Sequence, residues 1–239
     1  MKLKNKADTL HANRTVTDDI TGKLASMARS GIKLRTRATL VHAGDRPSDL
    51  YLLKSGWLFR YQLLADGRRQ IFCFFTPGEL VAPTLIFSPI CHYSIGALTT
   101  AEVLPIDRAK LLDAMARDAN FRDMMYAQLT VRSRFTDERM IELGRLTALE
   151  RMCVLIARLA AKVMAPSDDR FEVPLTRELV SDALGLTPVH VSRTLKVLEQ
   201  EGAVRWRRTV LEIVDLQKIY ANVPRNFAVH GGDQPTALI

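Results

Sequence analysis

Cysteine is scarce in this chain of 239 residues, and the cysteines that occur form no cluster. Cys73, Cys91 and Cys153 are odd in number and widely spaced, and none belongs to a Cys-x-x-Cys pair. A disulfide framework or a cysteine-rich zinc site needs even numbers or close pairs, so the spacing argues against both. Free thiols of this kind favour a reducing compartment. The sequence therefore predicts a cytoplasmic protein without a metal site.

No segment has the pattern of an export signal or a membrane span. The first ten residues, MKLKNKADTL, contain no apolar core of the kind that a secretory signal needs. The most apolar helical stretch, residues 152–164, is short and is interrupted by Arg158 and Lys162. We therefore expect no contact with a membrane.

Catalytic constellations are missing as well. The five histidines are scattered, and no Ser/His/Asp set, paired-carboxylate arrangement or phosphate loop occurs at a convincing spacing. The 34 Lys and Arg residues outnumber the 26 Asp and Glu residues, and the net charge of +8 favours a polyanionic partner. We therefore expect a binding protein without a cofactor rather than an enzyme.

The most informative segment, residues 175–202, has the pattern of two short helices joined by a tight turn. Thr176 can cap the first helix, and Gly185 allows a reversal that a residue with a Cβ would make at a steric cost. Thr187 is a good N-cap for the second helix, and Pro188 suits the first helical position. The pattern predicts a helix-turn-helix, although an ordinary helical hairpin in a core would share it.

The residues that follow favour DNA binding over the ordinary hairpin. Residues 203–214 are predicted to form two short strands joined by a basic turn, so the motif becomes a winged helix whose Arg205, Arg207 and Arg208 can meet phosphates. Away from its apolar face, the second helix carries small groups, hydrogen-bond donors and cations, which suit a major groove. The residues expected to contact DNA are Arg177, Thr187, Val189, His190, Ser192, Arg193, Lys196, Arg207 and Arg208.

Short strands separated by turn residues are predicted in the first half of the chain. Asp66-Gly67 indicates a two-residue hairpin turn, and apolar residues alternate on both sides of it. Further turns are predicted at Gly44, Gly56 and Pro77-Gly78. Many short strands at this spacing are typical of a β-sandwich or jelly roll.

Helical periodicity begins after Pro105. A long helix with two apolar stripes needs two partners, and we expect these to be the roll and a second copy of the same helix across a two-fold axis. Thr147-x-x-Glu150 is a capping box, which predicts a new helix after a break. The predicted parts are an N-terminal tail and helix (1–30), a β-roll (31–107) in which the resemblance described next implies a cyclic-nucleotide-binding-like sensor, a dimerisation helix (108–146), a winged helix-turn-helix (147–220) and a flexible tail (221–239).

The predicted fold class is α+β, with an N-terminal double-stranded β-helix or jelly roll, a long dimerisation helix and a C-terminal winged helix-turn-helix. This arrangement resembles the Crp/Fnr family of bacterial transcription regulators. The likeness covers roughly residues 30–220 and rests on Gly44-Asp45, residues 50–56 (LYLLKSG), Asp66-Gly67, residues 77–79 (PGE) and residues 176–202. It implies a homodimer that binds double-stranded DNA at a near-palindromic site, with half-sites about 34 Å apart. It also implies RNA polymerase as a partner.

The resemblance weakens at the effector pocket. Cyclic-nucleotide members of the family carry a Gly-Glu pair that binds ribose and an Arg-Ser or Arg-Thr pair that clamps the cyclic phosphate. Here Ala82-Pro83 and Tyr93-Ser94 stand at those positions, and Thr136-Asp137 stands where the family has Thr-Ser on the dimer helix. Tyrosine cannot offer a bidentate cation, and a carboxylate would repel a nucleotide. The sequence therefore predicts a degenerate pocket that no cyclic nucleotide controls.

Two other sensor types in the family fit poorly. The iron–sulfur branch uses an N-terminal cysteine group, and no cysteine precedes Cys73. In the haem branch Cys91 or His92 could ligate iron, although an unremarkable loop thiol and imidazole explain the pair more simply. The alternative of a regulator that responds to haem or another small molecule through a rearranged pocket stays open.

The recognition helix matches the family in part. Arg193 stands where an arginine reads guanine, whereas Val189 replaces a glutamate that many members use to bind cytosine. The preferred half-site is therefore expected to differ from the usual one of the family. Our hypothesis is a DNA-binding regulator, and the rival hypothesis is an enzyme or interaction module with an incidental helix-turn-helix.

Overall fold

The computed structural model describes residues 19–163, 171–207, 210–224 and 227. These residues form two compact units. The first contains residues 19–62 and 74–133, and the second contains residues 63–73 together with the described residues from 134 onward. The tip of one hairpin, residues 63–73, thus belongs to the second unit. Residues 1–18 of the predicted N-terminal part, residues 225, 226 and 228–239 of the predicted tail, and Arg208 lie outside the described residues.

The predicted roll is present and is built from two four-stranded sheets, with strand orders β1-β8-β3-β6 and β2-β7-β4-β5. Its strands are β1 Ile32–Leu34, β2 Thr39–Val41, β3 Asp49–Ser55, β4 Leu58–Leu63, β5 Arg69–Phe75, β6 Leu80–Val81, β7 Ser94–Ala97 and β8 Ala101–Asp107. Antiparallel pairing places Leu50 opposite Ile106 and Leu53 opposite Val103, and all four side chains are fully buried. These facing apolar residues form the centre of the roll core.

The hairpin between β4 and β5 turns where Asp66-Gly67 predicts it, but its loop is longer than two residues. Leu64 donates its N–H to the carbonyl of Arg68 at 2.8 Å, which leaves three residues in the loop. Gly67, the last of the three, has a φ of +86°. A three-residue hairpin with glycine in the left-handed region is a common alternative to the two-residue turn.

The helix expected over residues 108–146 consists of two helices. α1 (residues 19–27) precedes the roll, and α2 (Arg108–Arg117) and α3 (Ala119–Arg145) follow it. Asp118 separates α2 from α3 because its carboxylate accepts the N–H of Phe121 at 3.0 Å, a local bond that caps α3. Lys23 of α1 pairs with the same carboxylate. Phe121 and Met125 are buried in this unit.

The second unit contains the predicted winged helix-turn-helix. Its helices are α4 Ala148–Val163, α5 Arg177–Leu184, α6 Pro188–Gln200 and α7 Leu216–Ala221, and its strands are β9 Phe171–Val173, β10 Val204–Arg207 and β11 Val210–Ile213. The sheet order is β10-β11-β9. The capping box is present, since Glu150 accepts from the N–H and the hydroxyl of Thr147, both at 2.8 Å. Buried Cys153 lies on α4, where desolvation raises its thiol pKa to about 12.

A buried ion cluster joins α3 to α4 within this unit. The carboxylate of Glu142 is fully buried and pairs with both Arg139 and Arg158, the latter at 2.6 Å. Arg158 also pairs with Glu138 and lies 4.7 Å from the centre of the Phe135 ring. Burial lowers the pKa of Arg139, and the Glu142 carboxylate opposes that shift. A buried carboxylate needs such partners, because removing one partner of a buried ion pair lowers the free energy of unfolding by roughly 3–5 kcal/mol.

Candidate nucleic-acid interface

The first helix of the motif, α5, is formed by local signals at both ends. The hydroxyl of Thr176 accepts the N–H of Leu179 at 3.2 Å, which caps the helix as its sequence predicts. At the other end Gly185 has a φ of +62° and donates its N–H to Ser181. Because glycine enters this left-handed conformation without strain, the chain can reverse there and begin α6 after two more residues.

The second helix, α6, is anchored along one face. The hydroxyl of Thr187 accepts the N–H of His190 at 3.3 Å, and Pro188 occupies the first turn. Val191, Leu195 and Leu198 are buried at 0–1 % exposure, one turn apart. This buried face determines which side chains of α6 point outward.

The outward side of α6 carries most of the residues predicted to contact DNA. One open surface is lined by Pro188, Val189, Ser192, Arg193 and Lys196. Val189 is 59 % exposed. Within the described part of the chain, neither Arg193 nor Lys196 forms a recorded ion pair. The surface therefore offers two uncompensated cations beside an exposed apolar group.

Strand β10 of the wing contacts both helices of the motif through Trp206. The backbone N–H of Trp206 donates to the Glu199 carboxylate of α6 at 2.9 Å, and the guanidinium of Arg177 lies 5.6 Å from the centre of the Trp206 ring. Neither Trp206 nor Glu199 was predicted from the sequence to take part in the interface. The one sequence signal for this contact is the tryptophan itself, because a large aromatic side chain in a short wing strand usually packs against a neighbouring element.

The wing arginines are not free cations. Arg205 and Arg207 each lie 3.4 Å from the carboxylate of Glu212, whose side chain is only 13 % exposed. Both arginine side chains remain more than half exposed, and pairs of this kind are weak. The exposed parts of both guanidinium groups therefore remain able to meet a phosphate. Arg208, the third predicted wing cation, lies outside the described residues.

Two of the predicted effector-pocket residues, Tyr93 and Ser94, form contacts with neighbouring groups of the roll. The hydroxyls of Tyr93 and Thr84 are 2.5 Å apart, and the Arg60 guanidinium lies 4.8 Å from the centre of the Tyr93 ring. Burial raises the pKa of Tyr93, while the Thr84 hydrogen bond and the Arg60 charge oppose this shift. Ser94 accepts the N–H of Ala43 at 3.1 Å. The sequence analysis identified Tyr93 and Ser94 but not Thr84 or Arg60.

The remaining pocket residues have different positions. Ala82 is fully buried with a φ of +56°, and Pro83 after it begins a short 3-10 helix, Pro83–Ile86. Thr136 and Asp137 are exposed on α3. Proline offers no N–H and alanine no polar side chain, so neither residue supplies the carboxylate that binds a ribose hydroxyl in cyclic-nucleotide members.

The pair considered for haem ligation is divided between the interior and the surface. Cys91 is buried and donates its thiol to the carbonyl of Tyr93 at 3.1 Å, whereas His92 is exposed. Burial also raises the pKa of the Cys91 thiol. Within the described ranges, no group of three or more His, Cys, Asp or Glu residues could hold a metal ion. Nor does any helix in these ranges have the length and apolar character needed to cross a membrane.

Comparison with known proteins agrees with this architecture. Residues 32–118 match the family model of the cyclic nucleotide-binding domain, and residues 150–221 match that of the Crp-like helix-turn-helix domain. The transcriptional activator FnrA of Stutzerimonas stutzeri is 26 % identical over 194 residues, which cover 80 % of each chain. The fumarate nitrate reduction regulatory protein of Klebsiella oxytoca is 29 % identical over 196 residues, covering 80 % of this chain and 78 % of that protein.

The chain belongs to the Crp/Fnr family. The structure of FixK2 from Bradyrhizobium japonicum has the same fold, with a TM-score of 0.76 at 24 % identity over 83 % of this chain and 98 % of that one. The resemblance and the fold class predicted from the sequence are therefore confirmed. Because the relatives are transcription regulators, the prediction of a regulator rather than an enzyme is confirmed by them as well.

Proposed function

We propose that this Crp/Fnr-type regulator binds double-stranded DNA sequence-specifically as a homodimer, at a near-palindromic operator, and that no cyclic nucleotide controls it. The observation that carries the proposal is the outward surface of α6, where Arg193 and Lys196 have no recorded ion pair among the described residues and adjoin exposed Val189. A helix with a buried apolar face and a cationic outer face fits a major groove.

The residues proposed to contact DNA fall into two groups, those suited to base edges and those suited to phosphates. Arg193 is suited to bidentate hydrogen bonds with guanine O6 and N7, and Val189 can meet a thymine methyl group but can neither donate nor accept. Ser192 and His190 offer hydrogen-bonding groups, while Lys196, Arg177 and Arg207 are suited to phosphates. Thr187 already caps α6 through its hydroxyl, which leaves its methyl group for an apolar contact.

The exposed face of α3 supports a homodimer. Tyr126, Thr130, Ser133, Asp137 and Met140 are all exposed and recur at steps of four, three, four and three residues. This heptad spacing keeps one seam facing a parallel partner. Met140 is 70 % exposed and Ile141 51 %, and a second copy of the helix would cover both. A two-fold dimer then presents one recognition helix to each half-site.

The roll supports control by something other than a cyclic nucleotide. Tyr93 carries no charge to clamp a phosphate, and its hydroxyl is bonded to Thr84. Asp137 adds a carboxylate at the position that the family resemblance assigns to the effector site. Haem control has less support, since Cys91 is buried and bonded while His92 is exposed. By analogy with its family, we propose that the regulator acts in the cytoplasm together with RNA polymerase.

Arg193→Ala should abolish sequence discrimination and leave weak, salt-sensitive binding. A bidentate arginine–guanine contact contributes about 1–3 kcal/mol of discrimination, and a dimer makes it twice. Titration of operator and scrambled DNA at one fixed salt concentration measures this. Arg117→Ala, which removes the same charge from a surface pair on α2, should leave both affinities unchanged. Equal operator specificity in the Arg193 variant and the wild type would show that another residue reads the base.

Cyclic AMP and cyclic GMP should fail to bind at concentrations up to about 1 mM, because the site lacks both the phosphate clamp and the ribose acceptor. Calorimetry with each nucleotide provides the measurement. Tyr93→Arg serves as a comparison, since it restores a cation at that position. Saturable micromolar binding of either nucleotide to the wild type would refute control without cyclic nucleotides.

Met140→Glu should convert the dimer to a monomer and weaken operator binding by at least about tenfold, since a charge would replace an apolar side chain in the seam. Sedimentation at micromolar concentration reports the mass, and titration reports the affinity. Leu112→Glu places the same charge at an exposed apolar residue of α2 and should change neither. A Met140 variant that remains dimeric would place the interface elsewhere.

A further inference from the structure

The tip of the β4–β5 hairpin belongs to the second unit, where it contacts helix α5. Arg69, the first residue of β5, donates from its Nε and Nη2 to the Asp182 carboxylate at 2.7 and 2.6 Å. The side chains are only 24 % and 18 % exposed. Both donors meet the same oxygen, Oδ2, and a partly buried pair with two charged hydrogen bonds is stronger than an ordinary surface salt bridge.

The next residue contacts the helix backbone rather than a side chain. The Nε2 of Gln70 donates to the carbonyl of Asp182 at 2.8 Å and to that of Ala183 at 3.3 Å. These residues form the last turn of α5, where carbonyl groups have no partner within the helix. Gln70 therefore acts as a cap that another segment of the chain supplies.

Two arginines complete this cap. Arg139 of α3 donates from Nη2 to the carbonyl of Ala183, and Arg151 of α4 donates to the carbonyl of Leu184 at 3.2 Å. Cations at a helix C-terminus also interact favourably with the helix dipole. Arg139 is itself held by the buried carboxylate of Glu142. Three segments of the unit thus converge on one turn of α5.

We propose that Arg69 and Gln70 are positioning residues for DNA recognition, which hold α5 by its last turn and thereby set where the recognition helix begins. The inference rests on the proposed function. Only three residues, Gly185 to Thr187, separate α5 from α6, so movement of that turn displaces the start of α6. The contact does not cover the outward surface of α6, since Val189 remains 59 % exposed.

The adjacent Arg68 provides a matched control. It carries the same charge on the same hairpin, but it pairs with Asp66 within the turn, and its side chain is 78 % exposed. Arg68→Gln and Arg69→Gln therefore remove equal charge from neighbouring positions, and only the second breaks a recorded contact with α5. A general electrostatic effect of the hairpin on DNA would affect both variants equally.

Operator affinity separates the two variants. Arg69→Gln should weaken operator binding by about three- to tenfold, as expected for loss of charged hydrogen bonds, whereas Arg68→Gln should remain within about twofold of the wild type. The charge-reversed pair Arg69→Asp with Asp182→Arg should recover most of the loss that either reversal causes alone. Equal affinities for the two glutamine variants, a tighter Arg69 variant, or failure of the reversed pair to recover would each overturn the proposal.

Hydrogen exchange without DNA tests the contact itself. The amides of Gly185 and Leu186 both donate to the carbonyl of Ser181 at the end of α5. They should exchange faster in Arg69→Gln than in Arg68→Gln if the hairpin orders this turn. Equal exchange would refute the positioning role even where affinities differ. If the wild type bound no DNA specifically, the proposed function would fail while this measurement still decided the contact.

Discussion

Burial of one face of α6 is the constraint on which the interface depends. Val191, Leu195 and Leu198 are buried against the rest of the second unit, and each contributes about 1.5–3 kcal/mol relative to an exposed side chain. Turning the helix would expose these residues, so its rotation about its own axis is restricted. The outward direction of Arg193, Lys196 and Val189 follows from that packing.

Polar contacts at the ends of α5 and α6 fix the positions of these two helices in the second unit. Thr176 and Thr187 cap the two helices of the motif, and the last turn of α5 receives donors from Gln70, Arg139 and Arg151. Glu142 is the most buried charge in this arrangement and pairs with two arginines. Because a buried unpaired charge is costly, these groups favour one arrangement of helices over others. Apolar packing thus orients α6, while capping fixes where it starts.

The features that the sequence predicted well depend on residues close together in the chain. The caps at Thr176 and Thr187 and the capping box at Thr147 join side chains to groups within four residues, and the reversal at Gly185 joins two backbone groups four residues apart, so these patterns can be recognised. The position of the β4–β5 turn was predicted for the same reason. Its loop length was not, since the two-residue and three-residue turns share the same Asp-Gly signal.

The features that could not be predicted from the sequence depend on long-range contacts or on a balance between local alternatives. Thr84 and Arg60 reach Tyr93 from separate segments, and Gln70 meets α5 more than a hundred residues away. Asp118 divides the expected single helix because its side chain competes for a backbone N–H, which helical periodicity does not reveal.

The central claim is that two copies of α6 read two related half-sites. Selection of binding sites from random double-stranded DNA with the purified full chain tests it most directly. We expect enrichment of a near-palindrome whose half-site centres lie about 10–10.5 base pairs apart, or a multiple of that distance. Recovery of a single asymmetric element, or of no sequence above the starting pool, would contradict the account.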